Sequence, residues 1–182
     1  YDIDPALPEV VRGDSQRLQQ VLINLAGNAV KFTAHGEVIV RLQLVQTDED
    51  TEPDTARIAF AVQDSGIGIA PENQAHIFSG FSQAEASTTR KFGGTGLGLA
   101  ISQQLVSLMG GSITLTSALG HGSTFAFELQ LPCIKSTSGH PADLVLPSMV
   151  SATARHVLVI DDNATACRLT AQMTRSWHWP TD

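Results

Sequence analysis

Two asparagines and a lysine in one helical row are an odd choice for a solvated surface. If residues 14–33 form a helix, Arg17, Gln20, Asn24, Asn28 and Lys31 fall within a stripe about 80° wide. Exposed helix faces favour Glu and Lys, and Asn is a poor helix former because it competes for backbone hydrogen bonds. The row therefore reads as groups lining a pocket, with a solvated polar face as the alternative. An amide oxygen suits a hard cation such as Mg²⁺, and a lysine suits phosphate.

Three further stretches extend this chemistry. Asp64-Ser65-Gly66-Ile67-Gly68-Ile69 stands where a strand should end. A carboxylate there can accept from an exocyclic amine, and the glycines beside it would let a flat ring reach the backbone without meeting a Cβ. On its own the string also fits an ordinary turn. Gly93-Gly94-Thr95-Gly96-Leu97-Gly98-Leu99 runs into a helix, and free amides at a helix start bind phosphate oxygens. It is no P-loop, since no Gly-Lys-Ser/Thr ends it, and no dinucleotide turn, since a long loop precedes it where a strand would be needed. Gly120-His121-Gly122-Ser123-Thr124-Phe125 makes a hairpin turn whose Thr124 could assist Asp64.

The elements that must position these groups follow from periodicity. Leu18, Val21, Leu22, Leu25, Ala29 and Phe32 recur at three- and four-residue steps, the apolar stripe of the first helix. Val38, Val40, Leu42 and Leu44 alternate as one strand face, and Ile58, Phe60 and Val62 as another that delivers Asp64. The acidic run 47–55 between them reads as an exposed hairpin loop. Pro71 opens a short helix. Residues 79–96 are apolar-poor, a length of loop that is usually functional or mobile. A second amphipathic helix spans 97–109, ends at Gly110-Gly111, and precedes a hairpin built on Ile113, Leu115, Phe125, Phe127 and Leu129. The expected fold is α/β, a two-layer sandwich with helices on one face of a mixed sheet.

Composition narrows the partners. With 42% hydrophobic residues the chain can form a sizeable core, and its net charge of −7 argues against a general nucleic-acid partner. No apolar stretch is long enough to span a bilayer, so no membrane contact is expected of this segment. Cys133 and Cys167 match no metal or redox spacing and fit a reducing, cytoplasmic setting.

The ordered set NLAGNAVKFT, DSGIGI, IFSGF, GGTGLGLAI and GHGSTF resembles the boxes of a histidine kinase ATP-binding domain, in the GHKL (Bergerat-type) ATPase superfamily, over residues 1–132. The resemblance implies ATP and Mg²⁺ as ligands. Asn28 would ligate Mg²⁺, Lys31 would contact phosphate, Asn24 would support the same end, and Phe32 would line the nucleoside side. Asp64 would read the adenine amino group, with Gly66 and Gly68 giving access and Thr124 helping. Ile69 and Leu97 would form apolar walls, and Gly94, Gly96 and Gly98 the phosphate box. Arg90 would sit in a lid over the terminal phosphate. Gly80 stands before Phe81 where the family usually has proline, which would loosen the start of the lid. Asn24 stands where hydrolytic relatives carry a glutamate base, which favours phosphoryl transfer over hydrolysis.

A Ser/Thr/Pro/Gly-rich stretch, residues 133–154, reads as a linker. Residues 155–182 resemble the opening of a response-regulator receiver domain. Val157-Leu158-Val159-Ile160 would be its first, buried parallel strand, with Asp161 and Asp162 as its acidic pair. The fragment is expected to be truncated, ahead of its phosphoacceptor aspartate. None of the six histidines lies in a His-Glu-x-x-x-Pro context. The acceptor histidine is therefore expected on a separate, dimerising helical domain of a hybrid sensor kinase, with a downstream receiver as second partner. The parent's attachment to an inner membrane is left open. The rivals are an ATPase that drives a conformational clamp and a degenerate regulatory module.

Overall fold

The computed structural model describes residues 1–45, 54–79, 96–134, 156–176 and 179–182. The chain divides into two compact units, Tyr1–Lys135 and Ser136–Asp182. Among the described residues no helix is long and apolar enough to cross a membrane.

The first unit runs β1 (Asp2–Ile3), α1 (Ser15–Phe32), β2 (Val38–Leu44), β3 (Thr55–Asp64), α2 (Pro71–Gln74), α3 (Gly98–Leu108), β4 (Thr114–Ala118) and β5 (Gly122–Pro132). The sheet order is β1-β2-β3-β5-β4. β1 pairs with β2 in parallel and every other pair is antiparallel, so the sheet is mixed, as the sequence implies. α1 begins where Asp14, in extended conformation, accepts from the Arg17 amide at 3.0 Å. That bond satisfies one of the four amides a helix start leaves open.

Alternation decides which face of the sheet is covered. Ile58, Phe60 and Val62 on β3 and Phe125, Phe127, Leu129 and Leu131 on β5 are buried, while Arg57, Gln63, Glu128 and Gln130 between them are exposed. Phe60 and Phe127 stack with ring centroids 5.0 Å apart, and Phe78 meets Phe125 edge-on at 6.3 Å. Against this face α1 lays Val21, Leu25 and Ala29, and α3 contributes Val106. Each large apolar side chain removed from water here stabilises the unit by about 1.5–3 kcal/mol. Val38, Val40, Leu42 and Leu44 also pack on this core, as their alternation predicts.

The second unit departs from expectation. Among its described residues α4 (Ala164–Ser176) forms, with Asn163 Oδ1 accepting from the Ala166 amide at 2.9 Å. The run 157–160 is not a buried strand. Val157 makes a single parallel bridge to Thr181, and Leu158 and Ile160 are 70% and 85% exposed. A parallel strand is buried when neighbours flank it and helices cover both faces, and the described residues supply only 180–182 as a backbone partner. Asp161 Oδ1 is turned to the Asn163 amide at 2.8 Å. No group of three His, Cys, Asp or Glu gathers among the described residues. The linker expected over 133–154 lies outside the described residues from 135 onward.

Candidate functional site

The site begins at the end of β3. Asp64 belongs to the even-numbered, core-facing set of that strand and is 7% exposed. Its Oδ1 accepts from the Gly66 amide at 2.8 Å, which curls the chain at once away from the sheet. The loop after it is clamped on two sides. Toward α1, the Ile67 amide donates to the Phe32 carbonyl at 3.3 Å. Toward the β4–β5 hairpin, the Gly120 amide donates to the Ile67 carbonyl at 2.7 Å, and the Ile69 amide to Ser117 Oγ at 2.8 Å. Gln74 Nε2 on α2 then donates to both the Ile69 and Ser117 carbonyls, at 2.9 and 3.1 Å.

This clamp corrects the expected purpose of two glycines. A Cβ on Gly66 would stand 2.3 Å from the Phe32 carbonyl oxygen, and one on Gly68, whose φ is +68°, 2.0 Å from the Ala118 carbonyl oxygen. The room that a missing Cβ leaves is taken by the protein's own backbone, not by a ring. Gly66 and Gly68 let three chain segments converge under Asp64.

Thr124 is also corrected. In the β3–β5 register Asp64 faces Ser123, whereas Thr124 faces Gln63. Residues directly opposite in an antiparallel pair project to the same side. Thr124 therefore shares the outer face with exposed Gln63, and Ser123 shares the buried face with Asp64. Ser123 is 7% exposed, and its Oγ lies 3.0 Å from Ser117 Oγ, which also donates to the Gly122 carbonyl. The signal for Ser123 was present in its odd-numbered spacing with Phe125 and Phe127.

The polar row of α1 forms the second part. Gln16, Gln20, Asn24, Gly27, Asn28 and Lys31 line an open groove of about 680 Å³. Arg17 does not belong to it, because its guanidinium pairs with Asp14 at 3.0 Å and so reinforces the helix cap. Lys31 Nζ lies 4.9 Å from the centre of the Phe32 ring, a cation–π distance. Asn24 Nδ2 donates to Ser102 Oγ on α3 at 2.8 Å, a pairing that no local pattern announces. Leu97, half-buried, precedes α3 without a side-chain cap, and Gly96 has a φ of +69°. Ile69 packs against the core. Arg90 and Gly94, with Gly80, Phe81 and the rest of the expected lid, lie outside the described residues.

The two parts meet at the C-terminal end of α1. The groove runs to Lys31, and the next residue, Phe32, carries the carbonyl on which the Asp64 loop rests. From Asn24 to Phe32 is about 12 Å along the helix axis. The buried Asp64 carboxylate thus stands past the C-terminal end of α1, the end that carries Lys31, with Asn28 and Asn24 further back along the same helix.

Over residues 13–133 the chain matches the family described as histidine kinase-, DNA gyrase B-, and HSP90-like ATPases. It is 45% identical over 131 residues to hybrid signal transduction histidine kinase B of Dictyostelium discoideum, which covers 72% of this chain and 6% of that protein. It is 44% identical over 162 residues to the sensor histidine kinase AruS of Pseudomonas aeruginosa, covering 89% of this chain and 15% of that one. The chain thus spans only a small part of the curated relatives it matches. Its fold is similar to the crystal structure of full-length ShkA in complex with AMPPNP, with a TM-score of 0.69 at 31% identity over 99% of this chain and 33% of that one.

Proposed function

Because the chain belongs to the family of histidine kinase-, DNA gyrase B-, and HSP90-like ATPases, we propose that its first unit binds Mg-ATP and passes the γ-phosphate to a histidine on another domain of a hybrid sensor kinase. The observation that carries this reading is the placing of the buried Asp64 carboxylate beside a loop that rests on the C-terminal end of α1, the helix whose open face carries Asn24, Asn28 and Lys31. Asp64 accepts from the adenine amine, with Ser123 on the same face. Phe32 and Ile69 flank the nucleoside, and Lys31 meets phosphate. Gly94, Gly96, Leu97 and Gly98 lead the phosphates to the start of α3, and Arg90 answers the terminal phosphate from the lid.

The donor set fits Mg²⁺ held chiefly by the nucleotide. Asn28 offers one hard oxygen, no carboxylate cluster accompanies it among the described residues, and Mg²⁺ commonly takes one or two protein ligands plus phosphates and water. When bound, the ion neutralises charge on the phosphates. Asn24 supports transfer over hydrolysis, since an amide cannot take a proton from water. Its Nδ2 is moreover engaged by Ser102. The acceptor is a dimerising helical domain and a receiver domain lies further along the relay. Both cysteines are free thiols, in keeping with a cytoplasmic ATP pool.

The test is γ-labelled ATP with this chain, alone and beside the phosphoacceptor domain of a relative such as AruS. The expected result is label on the added domain and little free phosphate. Strong phosphate release without an acceptor would overturn transfer in favour of an ATPase clamp.

A further inference from the structure

Ser102 is 1% exposed and enters the reading above only as the partner of Asn24. A buried hydroxyl is costly unless it is paired, so its partner is informative. That partner is Asn24, 78 positions away, whose Nδ2 donates to it at 2.8 Å. One turn earlier on the same face of α3, a Cβ on Gly98 would stand 2.3 Å from Asn24 Oδ1. The Asn24 amide is therefore held by two positions spaced i, i+4 on one helix. A hydroxyl takes its NH₂ group, and a missing side chain leaves room for its oxygen. Gln20 and Asn28, one turn before and after Asn24 on α1, line the same groove. Asn24 is thus the point where that row is tied to the first turn of α3.

We propose that Ser102 is a positioning residue, which orients the Asn24 amide in the groove and sets the first turn of α3 against the Asn24–Asn28–Lys31 row. The proposal rests on the groove being the triphosphate site. A serine that only filled space would serve as well as alanine. A serine that aims Asn24 affects the ligand's phosphates and leaves its base untouched.

Calorimetry on the full chain tests this with a nonhydrolysable ATP analogue in Mg²⁺ and, separately, with adenosine. Ser102→Ala should weaken the ATP analogue about three- to tenfold, the worth of one net hydrogen bond, and leave adenosine affinity unchanged. Gly98→Ala, which drives a methyl into the Asn24 oxygen, should produce the same selective loss. Ser102→Ala should cost nothing further in an Asn24→Ala background. A Ser102→Ala chain that binds both ligands like the parent overturns the proposal. So does a loss of equal size with and without Asn24, or one shared by adenosine, since the serine would then only pack α3. The parent's own titrations test the underlying site. Failure of the unsubstituted chain to bind either ligand overturns that reading and this one together, whereas a parent that binds both, with a Ser102→Ala chain that shows no selective loss of the ATP analogue, overturns only this one.

Discussion

The two ends of the candidate site are built in opposite ways. At Asp64 the chain is held by backbone: three segments meet at van der Waals limits around Gly66 and Gly68, and the loop carbonyls and amides are spoken for by Phe32, Gly120, Ser117 and Gln74. Along α1 the groups project from a regular helix into an open groove, and Asn24 is tied to Ser102 on α3. The first end is shaped before any ligand arrives, which suits recognition of a rigid base. The second presents polar groups that, on the proposed reading, phosphates with their own charge and cation would order. In the proposed function shape-selective binding thus falls to the Asp64 end and charge-selective binding to the α1 face.

Substitution can break each end in its own manner. The largest effect should come from Gly68→Ala, which forces a side chain into left-handed backbone and into the Ala118 carbonyl. The expected cost is about 3 kcal/mol, read as a fall in Tm of about 10 °C with nucleotide binding lost alongside. A Tm like the parent's would mean that the clamp is slack.

Asp64→Asn separates recognition from folding at the same end. Asparagine keeps an oxygen for the Gly66 amide, so Tm should hardly move, while its NH₂ group opposes the adenine amine. Calorimetry should show ATP affinity falling about ten- to a hundredfold. A comparable fall for a ligand with no exocyclic amine would remove Asp64 from base recognition.

At the open end, Asn28→Ala should weaken ATP roughly tenfold in Mg²⁺ and leave binding in EDTA nearly unchanged, because the amide acts through the ion. Lys31→Ala should weaken ATP more than adenosine. If both variants lost adenosine as readily, the groove would be part of the base-binding end and the contrast would collapse. The smallest effect sharpens the sheet register. Ser123→Ala should lower nucleotide affinity a few-fold, roughly one neutral hydrogen bond, while Thr124→Ala on the outer face should leave it alone. The reverse ranking, in the same titration, would restore Thr124.

Much of the frame was legible before any coordinates. The stripe Val21, Leu25, Ala29 and the alternation Ile58, Phe60, Val62 identify α1 and β3 and their buried faces, because helix and strand periods are set by backbone geometry alone. Asp64 at a strand end follows from neighbours within a few residues, whereas Asp14, counted within the helix by the pattern, is its cap. The same local logic failed for Val157–Ile160, since an apolar run reports a strand's composition and says nothing of whether partners flank it.

What the sequence by itself determined is therefore the set of elements, their inward faces, and the order of chemically capable residues along them. Only the tertiary structure decided which of those residues meet. It turned Ser123 rather than Thr124 toward the side of Asp64, since that depends on the β3–β5 register and not on either strand alone. It assigned Arg17 to the helix cap, Gly66 and Gly68 to close backbone passage, and Ser102 to Asn24 across 78 residues. Periodicity is a property of one element and can be read from it. A contact between elements is a property of their packing, where side-chain volumes, the hydrogen-bonding needs of buried groups and sheet register are satisfied together.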